Sequence, residues 1–273
     1  MGEVFYNSRF INEDELLIKT SNRAFNYGDG FFETIKIINA KPFNFKLHYT
    51  RFSLACKILK LNDFKSESHL YEIICRLIDK NKIINGSCRV HVNRRGAGRY
   101  LPSTNSLDLF IKTSNGRSFL KINPISLCIF SNECKTKGHA SNIKSINALP
   151  SILAAIYAKE NDFDNALLKN TDGNLIEASN SNLFIIKDKM ILTPPLSEGC
   201  IDGTMRRWVI DKLNIIEQPL SQLDVKNADE VFITNAISGI TSVEFIYFEN
   251  KKAYKTNFSK ELQNELISSS LGF

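Results

Sequence analysis

Lys144 stands in the run Ser141-Asn142-Ile143-Lys144-Ser145, just before the alanine-rich stretch Asn147–Lys159, and no acidic residue occurs between Glu133 and Glu160. A lysine without a local ion-pair partner, partly removed from water, loses its proton more readily and becomes a nucleophile. From spacing alone, a solvated lysine at a helix start is the commoner reading. Glu177 lies between two apolar runs in Gly173–Ile186, where an acid ordinarily caps a turn. Arg51 lies in a helical pattern, where an arginine defaults to solvent. Gly203-Thr204-Met205-Arg206 enters a helix, whose first N–H groups favour an anion. Every helix has such an end, so this signal is weak by itself.

Other chemistries find no residues to carry them. Neither GxGxxG nor GxxxxGK[ST] occurs, and no serine sits in a nucleophile elbow. Cys56, Cys75, Cys88, Cys128, Cys134 and Cys200 stand singly, and His48, His69, His91 and His139 are scattered, so neither a metal site nor a disulfide framework is expected. The 273 residues carry a net charge of +6, spread along the chain rather than concentrated in a stripe, which argues against a nucleic-acid partner. No signal-peptide core and no apolar run of membrane-spanning length is present. The expectation is a soluble, cytoplasmic protein in a reducing compartment, without a membrane partner.

The elements that must position these residues follow from hydrophobic periodicity. Leu47–Leu61, Ser68–Lys82, Asn147–Lys159, Thr204–Leu213 and Leu262–Leu271 read as helices. Val4–Phe10, Leu16–Ile18, Phe31–Ile38, Cys88–Val92, Ser106–Thr113, Ile122–Phe130, Ala166–Asn170, Asn174–Glu177, Leu183–Lys187, Met190–Thr193 and Val231–Thr234 read as strands. Thr171-Asp172-Gly173 is a hairpin turn. Strands with interspersed helices, not strictly alternating, indicate an α+β protein. Ser114–Phe119 is the best linker, giving domains 1–116 and 117–273.

Taken together, eight blocks change the reading: SNRAFNYGDGFFETIKI, LHYTRFSLACKIL, NRRGAGRYLP, IKSINALPSILAAIYAKE, LLKNTDGNLIEASNSNLFII, ILTPP, GCIDGTMRRW and ADEVFITNAISGI. In this order and spacing, from Ser21 to Val243, the chain resembles the class IV aminotransferases, the pyridoxal 5'-phosphate enzymes of fold type IV. The resemblance implies a two-domain, D-amino-acid-aminotransferase-like fold, with a pseudo-barrel second domain, the cofactor in the cleft between the domains, and a homodimer. It implies that Lys144 forms the Schiff base and moves the substrate proton, and that Glu177 faces the pyridine nitrogen. It further implies that Arg51 grips the phosphate bidentately, that the amides of Thr204 and Met205 cup it, and that Ala236 and Ile237 lie in a loop closing over it. Phe32 and Thr34, sharing one strand face, border the substrate, and Arg95 or Arg99 holds a substrate carboxylate.

Members of the family diverge after proton removal. Leu149 in the Lys144–Leu149 pattern, Gly203–Arg206, Thr234–Ala236 and the NRRGAGR loop are similar to 4-amino-4-deoxychorismate lyase, which releases pyruvate and 4-aminobenzoate in folate biosynthesis. Against it, Phe32-Glu33-Thr34 is shared widely and Ser242 stands where proline is usual. The alternative is a D-amino-acid or branched-chain transaminase acting on a small amino substrate with a 2-oxo acid acceptor.

Overall fold

The computed structural model describes residues 2–62 and 65–272. The chain forms two compact units, residues 2–118 with Ile143–Asn147, and Phe119–Asn142 with Ala148–Gly272. The short segment carrying Lys144 thus groups with the first unit.

The first unit contains β1 (Glu3–Tyr6), β2 (Arg9–Asn12), α1 (Arg23–Tyr27), β3 (Gly30–Ile38), β4 (Lys41–Pro42), α2 (Phe45–Ile58), α3 (Glu67–Lys80), β5 (Gly86–Arg94) and β6 (Leu107–Asn115). Its sheet runs β2-β1-β6-β5-β3-β4. Burial along β5 alternates strictly, as a sheet with one covered face requires. The covered face brings Phe31, Ile35, Val90, Val92, Leu109 and Ile111 against Phe52 of α2 and Ile74 and Leu77 of α3. The sequence reading made Val4–Phe10 one strand. Asn7, at φ 56°, breaks it into the β1–β2 hairpin. It also made Leu16–Ile18 a strand. That stretch is not a strand: it follows a 3-10 turn at Glu13–Glu15, with Leu17 and Ile18 in solvent.

The second unit contains β7 (Ile125–Lys135), α4 (Leu149–Glu160), β8 (Asn165–Asn170), β9 (Leu175–Ala178), β10 (Ser181–Lys187), β11 (Met190–Thr193), α5 (Thr204–Lys212), β12 (Ile215–Glu217), α6 (Gln222–Lys226), β13 (Glu230–Asn235), β14 (Gly239–Tyr247), β15 (Lys251–Ala253) and α7 (Asn257–Leu271). Its sheet runs β12-β11-β10-β13-β14-β7-β8-β9, and β9 pairs back onto β10, closing the barrel. The β8–β9 hairpin turns at Gly173, whose φ of 85° favours glycine. β7 starts only after Pro124, which cannot donate to a ladder. It then outruns the expected end at Phe130, because its pairing with β8 shifts register between Phe130 and Cys134 and resumes to Lys135.

Candidate active site

Lys144 is tied to the start of β3. Its carbonyl accepts the Phe32 N–H at 3.0 Å, and the Ile146 N–H donates to the Gly30 carbonyl at 3.2 Å. The Lys144 Nζ lies 4.7 Å from the centre of the Phe32 ring. Phe32 shares its strand face with Thr34 and Lys36, and antiparallel pairing sets Phe32 beside His91 and Thr34 beside Arg89. The Arg89 guanidinium stacks 4.2 Å from the same Phe32 ring and its Nε donates to His91 Nε2 at 2.8 Å. Burial, then the charges of Arg89 and Lys112, push the His91 imidazole down to about 4, so it is neutral at physiological pH.

The opposite face of β3 presents Glu33 to α2. Arg51 is not at the surface: it is 4% exposed, and its Nε and Nη2 donate to the two oxygens of Glu33 at 2.7 and 2.6 Å. His48, one turn earlier, bonds Glu33 through Nδ1 at 2.7 Å. Burial alone would raise the Glu33 carboxyl. The Arg51 charge and the bonds from Arg51 and His48 outweigh it and hold Glu33 at about 2. Burial likewise lowers His48, against the pull of Glu33. Sequence reasoning passed over Glu33 and His48. A planar guanidinium offers a side edge and an end edge. Glu33 takes the side edge of Arg51.

In the second unit Glu177 lies on β9, 3% exposed. One oxygen bonds the Lys135 ammonium, and the other accepts the Ile201 N–H at 2.8 Å. Thr204 and Met205 open α5 and are buried. The helix has no side-chain N-cap. A buried helix start normally needs an acceptor for its N–H groups. Gly203, the N-cap residue, lies so close to Asn182 that a Cβ there would stand 1.8 Å from Asn182 Oδ1. Asn182 pairs across the sheet with Thr234, whose buried hydroxyl has no hydrogen-bond partner. Ala236 and Ile237 follow in a loop fastened by Asn235, whose Oδ1 accepts the N–H groups of Ile237 and Ser238 at 2.9 and 2.8 Å.

Of the two loop arginines, Arg95 bonds Asp108 at 2.7 Å and is half exposed. Arg99 is exposed, and its carbonyl is held by Arg23 at 2.7 Å. Both follow β5 in the loop, whereas Arg89 stands within β5 against the Phe32 ring. The sequence reading did not single out Arg89, because a polar residue at a half-buried strand position is unremarkable by spacing.

Within the second unit, a buried helix start with a close-approach glycine, a Thr234 hydroxyl without a hydrogen bond on the strand leading into a fastened loop, and a pinned buried carboxylate suit an anionic, aromatic cofactor. Within the first unit, a lysine amine lies over an aromatic ring. The amino-transferase class IV family model matches residues 30–246. A D-alanine aminotransferase of Staphylococcus epidermidis is 26% identical over 92% of this chain and 91% of its own. In fold, the chain resembles the branched-chain aminotransferase of Thermoproteus uzoniensis, with a TM-score of 0.89 at 22% identity over 99% of this chain and 95% of that one. It also resembles the 4-amino-4-deoxychorismate lyase of Pseudomonas aeruginosa, with a TM-score of 0.85 at 20% identity over 97% and 98%. With the family model covering most of its length, the chain belongs to the class IV amino-transferase family.

Proposed function

We propose that the protein is a pyridoxal 5'-phosphate enzyme acting on a small amino substrate, with Lys144 as its catalytic residue. The observation that carries this reading is Lys144, anchored by backbone bonds to β3 with its amine over Phe32. Bound there, the cofactor supplies an electron sink for the charge left when a proton leaves the substrate. The chain's own groups do the rest. Lys144 would hold the cofactor covalently and carry the proton, and Glu177 would bond its ring nitrogen. The amides of Thr204 and Met205, the Ala236–Ile237 loop and the guanidinium of Arg51 would hold the phosphate. Phe32 and Thr34 border the substrate, and Arg89 joins Arg95 and Arg99 as a group for its carboxylates.

For the reaction, we favour 4-amino-4-deoxychorismate lyase, on the sequence features of Lys144–Leu149, Gly203–Arg206, Thr234–Ala236 and Asn93–Arg99. The resemblance to D-alanine aminotransferases keeps a transaminase as the second reading. The test offers aminodeoxychorismate without any 2-oxo acid. Stoichiometric pyruvate and 4-aminobenzoate support the lyase. No pyruvate there, with turnover of D-alanine and 2-oxoglutarate, supports the transaminase.

A homodimer is part of the same reading. On α4, Leu149, Ile152, Leu153 and Ile156 stand exposed at helical spacing, an apolar stripe suited to a second copy. The free cysteines suit a cytoplasmic setting. No helix among the described residues is long and apolar enough to cross a membrane.

A further inference from the structure

We propose that Lys135 is a positioning residue that keeps the proton shared between Glu177 and the cofactor on the cofactor's ring nitrogen; this rests on the pyridoxal phosphate reading above. The geometry comes from the β7 bulge. After the register shift Lys135 pairs with Asn170 of β8, while Glu177 of β9 pairs with Leu168 of β8. The Lys135 side chain therefore reaches across an intervening strand, about 10 Å at ordinary strand spacing, to bond one oxygen of Glu177. The Ile201 N–H holds the other. Each carboxylate oxygen accepts two bonds, so the pair of donors fixes the plane of the carboxylate and leaves each oxygen able to accept one more.

Around Cys200, the charged neighbours of Glu177 have ion-pair partners of their own, although the buried Arg206 Nε makes no hydrogen bond. Asp202 pairs with Arg207, and Arg206 with Glu217. The Cys200 thiol, pushed up to about 12 chiefly by burial and then by Glu177, carries no charge near neutral pH. Lys135 is the cation bonded directly to Glu177. A ring nitrogen and a carboxylate that share one proton can hold it as an ion pair, on nitrogen, or as a neutral pair, on oxygen. Burial favours the neutral pair. A cation on the far side of the carboxylate reverses that preference, because it stabilises the anion and opposes its protonation. No bond other than the N–H or O–H bond changes.

The experiment loads the full-length protein with pyridoxal phosphate carrying nitrogen-15 in the ring and reads the nitrogen chemical shift across pH 6–9. Wild type and Lys135→Arg should give the shift of a protonated ring nitrogen. Lys135→Met and Lys135→Gln should move it more than halfway toward the unprotonated value, with a matching change in the visible spectrum. Lys135→Gln keeps an N–H donor on a side chain one atom shorter and removes the charge, so it also serves if Lys135→Met does not load. An unchanged shift in either cofactor-loaded variant overturns the inference and leaves the function standing. A wild-type chain that takes up no cofactor overturns both.

Discussion

Replacing Glu33 by glutamine tests whether the buried Glu33–Arg51–His48 cluster organises the first unit. The substitution keeps shape and one acceptor oxygen but removes the charge that holds two bonds from Arg51 and one from His48. Both Glu33 and Arg51 are nearly inaccessible, at 2% and 4%. Removing one partner of a buried pair leaves an uncompensated charge, which costs about 3–5 kcal/mol. Against a total stability of about 5–15 kcal/mol, that is a large fraction. Trp208, the single tryptophan, lies on α5 in the second unit and does not report on this site. The assay is therefore hydrogen exchange of β3 and α2 peptides in apoprotein under graded urea. Glu33→Gln should lower their opening free energy by about 3 kcal/mol. The Glu33→Gln/Arg51→Met double variant should recover part of the loss, giving a coupling of at least about 1.5 kcal/mol. A loss below about 1 kcal/mol, or additive single effects, would refute the argument that the pair is buried and coupled.

Three further outcomes follow from the geometry. Arg51→Ala should weaken pyridoxal phosphate binding at least tenfold, roughly 1.4 kcal/mol, and Arg51→Lys should restore only part, since an ammonium cannot serve Glu33 and a phosphate with one planar fork; titration of apoprotein measures both. Gly203→Ala should destabilise the second unit by about 1–3 kcal/mol, because Asn182 must move and surrender its 2.7 Å bond to the Ile201 carbonyl; Trp208 fluorescence in urea reads it, and equal midpoints would show that Asn182 yields freely. Acid should destabilise the first unit in two stages. His91, at about 4 when folded against an ordinary 6.5, binds fewer protons folded than unfolded, so stability falls as pH drops from 6.5 toward 4, and His48 adds the same sign. Glu33 contributes stability above its ordinary 4.5 that is lost as pH falls toward 2. His91→Gln should flatten the upper stage, and an unchanged slope would contradict the assignment.

What the sequence made legible depended on local periodicity. α2, α3, α4 and α5 appeared within a few residues of their places because their apolar positions repeat every three or four. β14 was passed over, since Thr241 and Ser242 interrupt its apolar pattern. In the fold they are buried, with Ser242 satisfied by the Ser259 hydroxyl at 2.8 Å. Lys144, Glu177 and the α5 start were singled out through their motif context. Glu33 could not be, because its meaning lies in partners 15 and 18 residues away on another element. Lys135 was hidden for a related reason, since only the β7 bulge carries it to Glu177. Arg51 read as an anion-binding arginine, but nothing local showed that one edge of its guanidinium already belongs to Glu33.

The central claim is that Lys144 carries the cofactor. Protein loaded with pyridoxal phosphate, reduced with borohydride, digested and analysed by mass spectrometry reports the site directly. The account predicts a phosphopyridoxyl group on the Lys144 peptide in wild type and none at any lysine in Lys144→Ala. A label at another lysine, or wild-type labelling of Lys144→Ala, would contradict it.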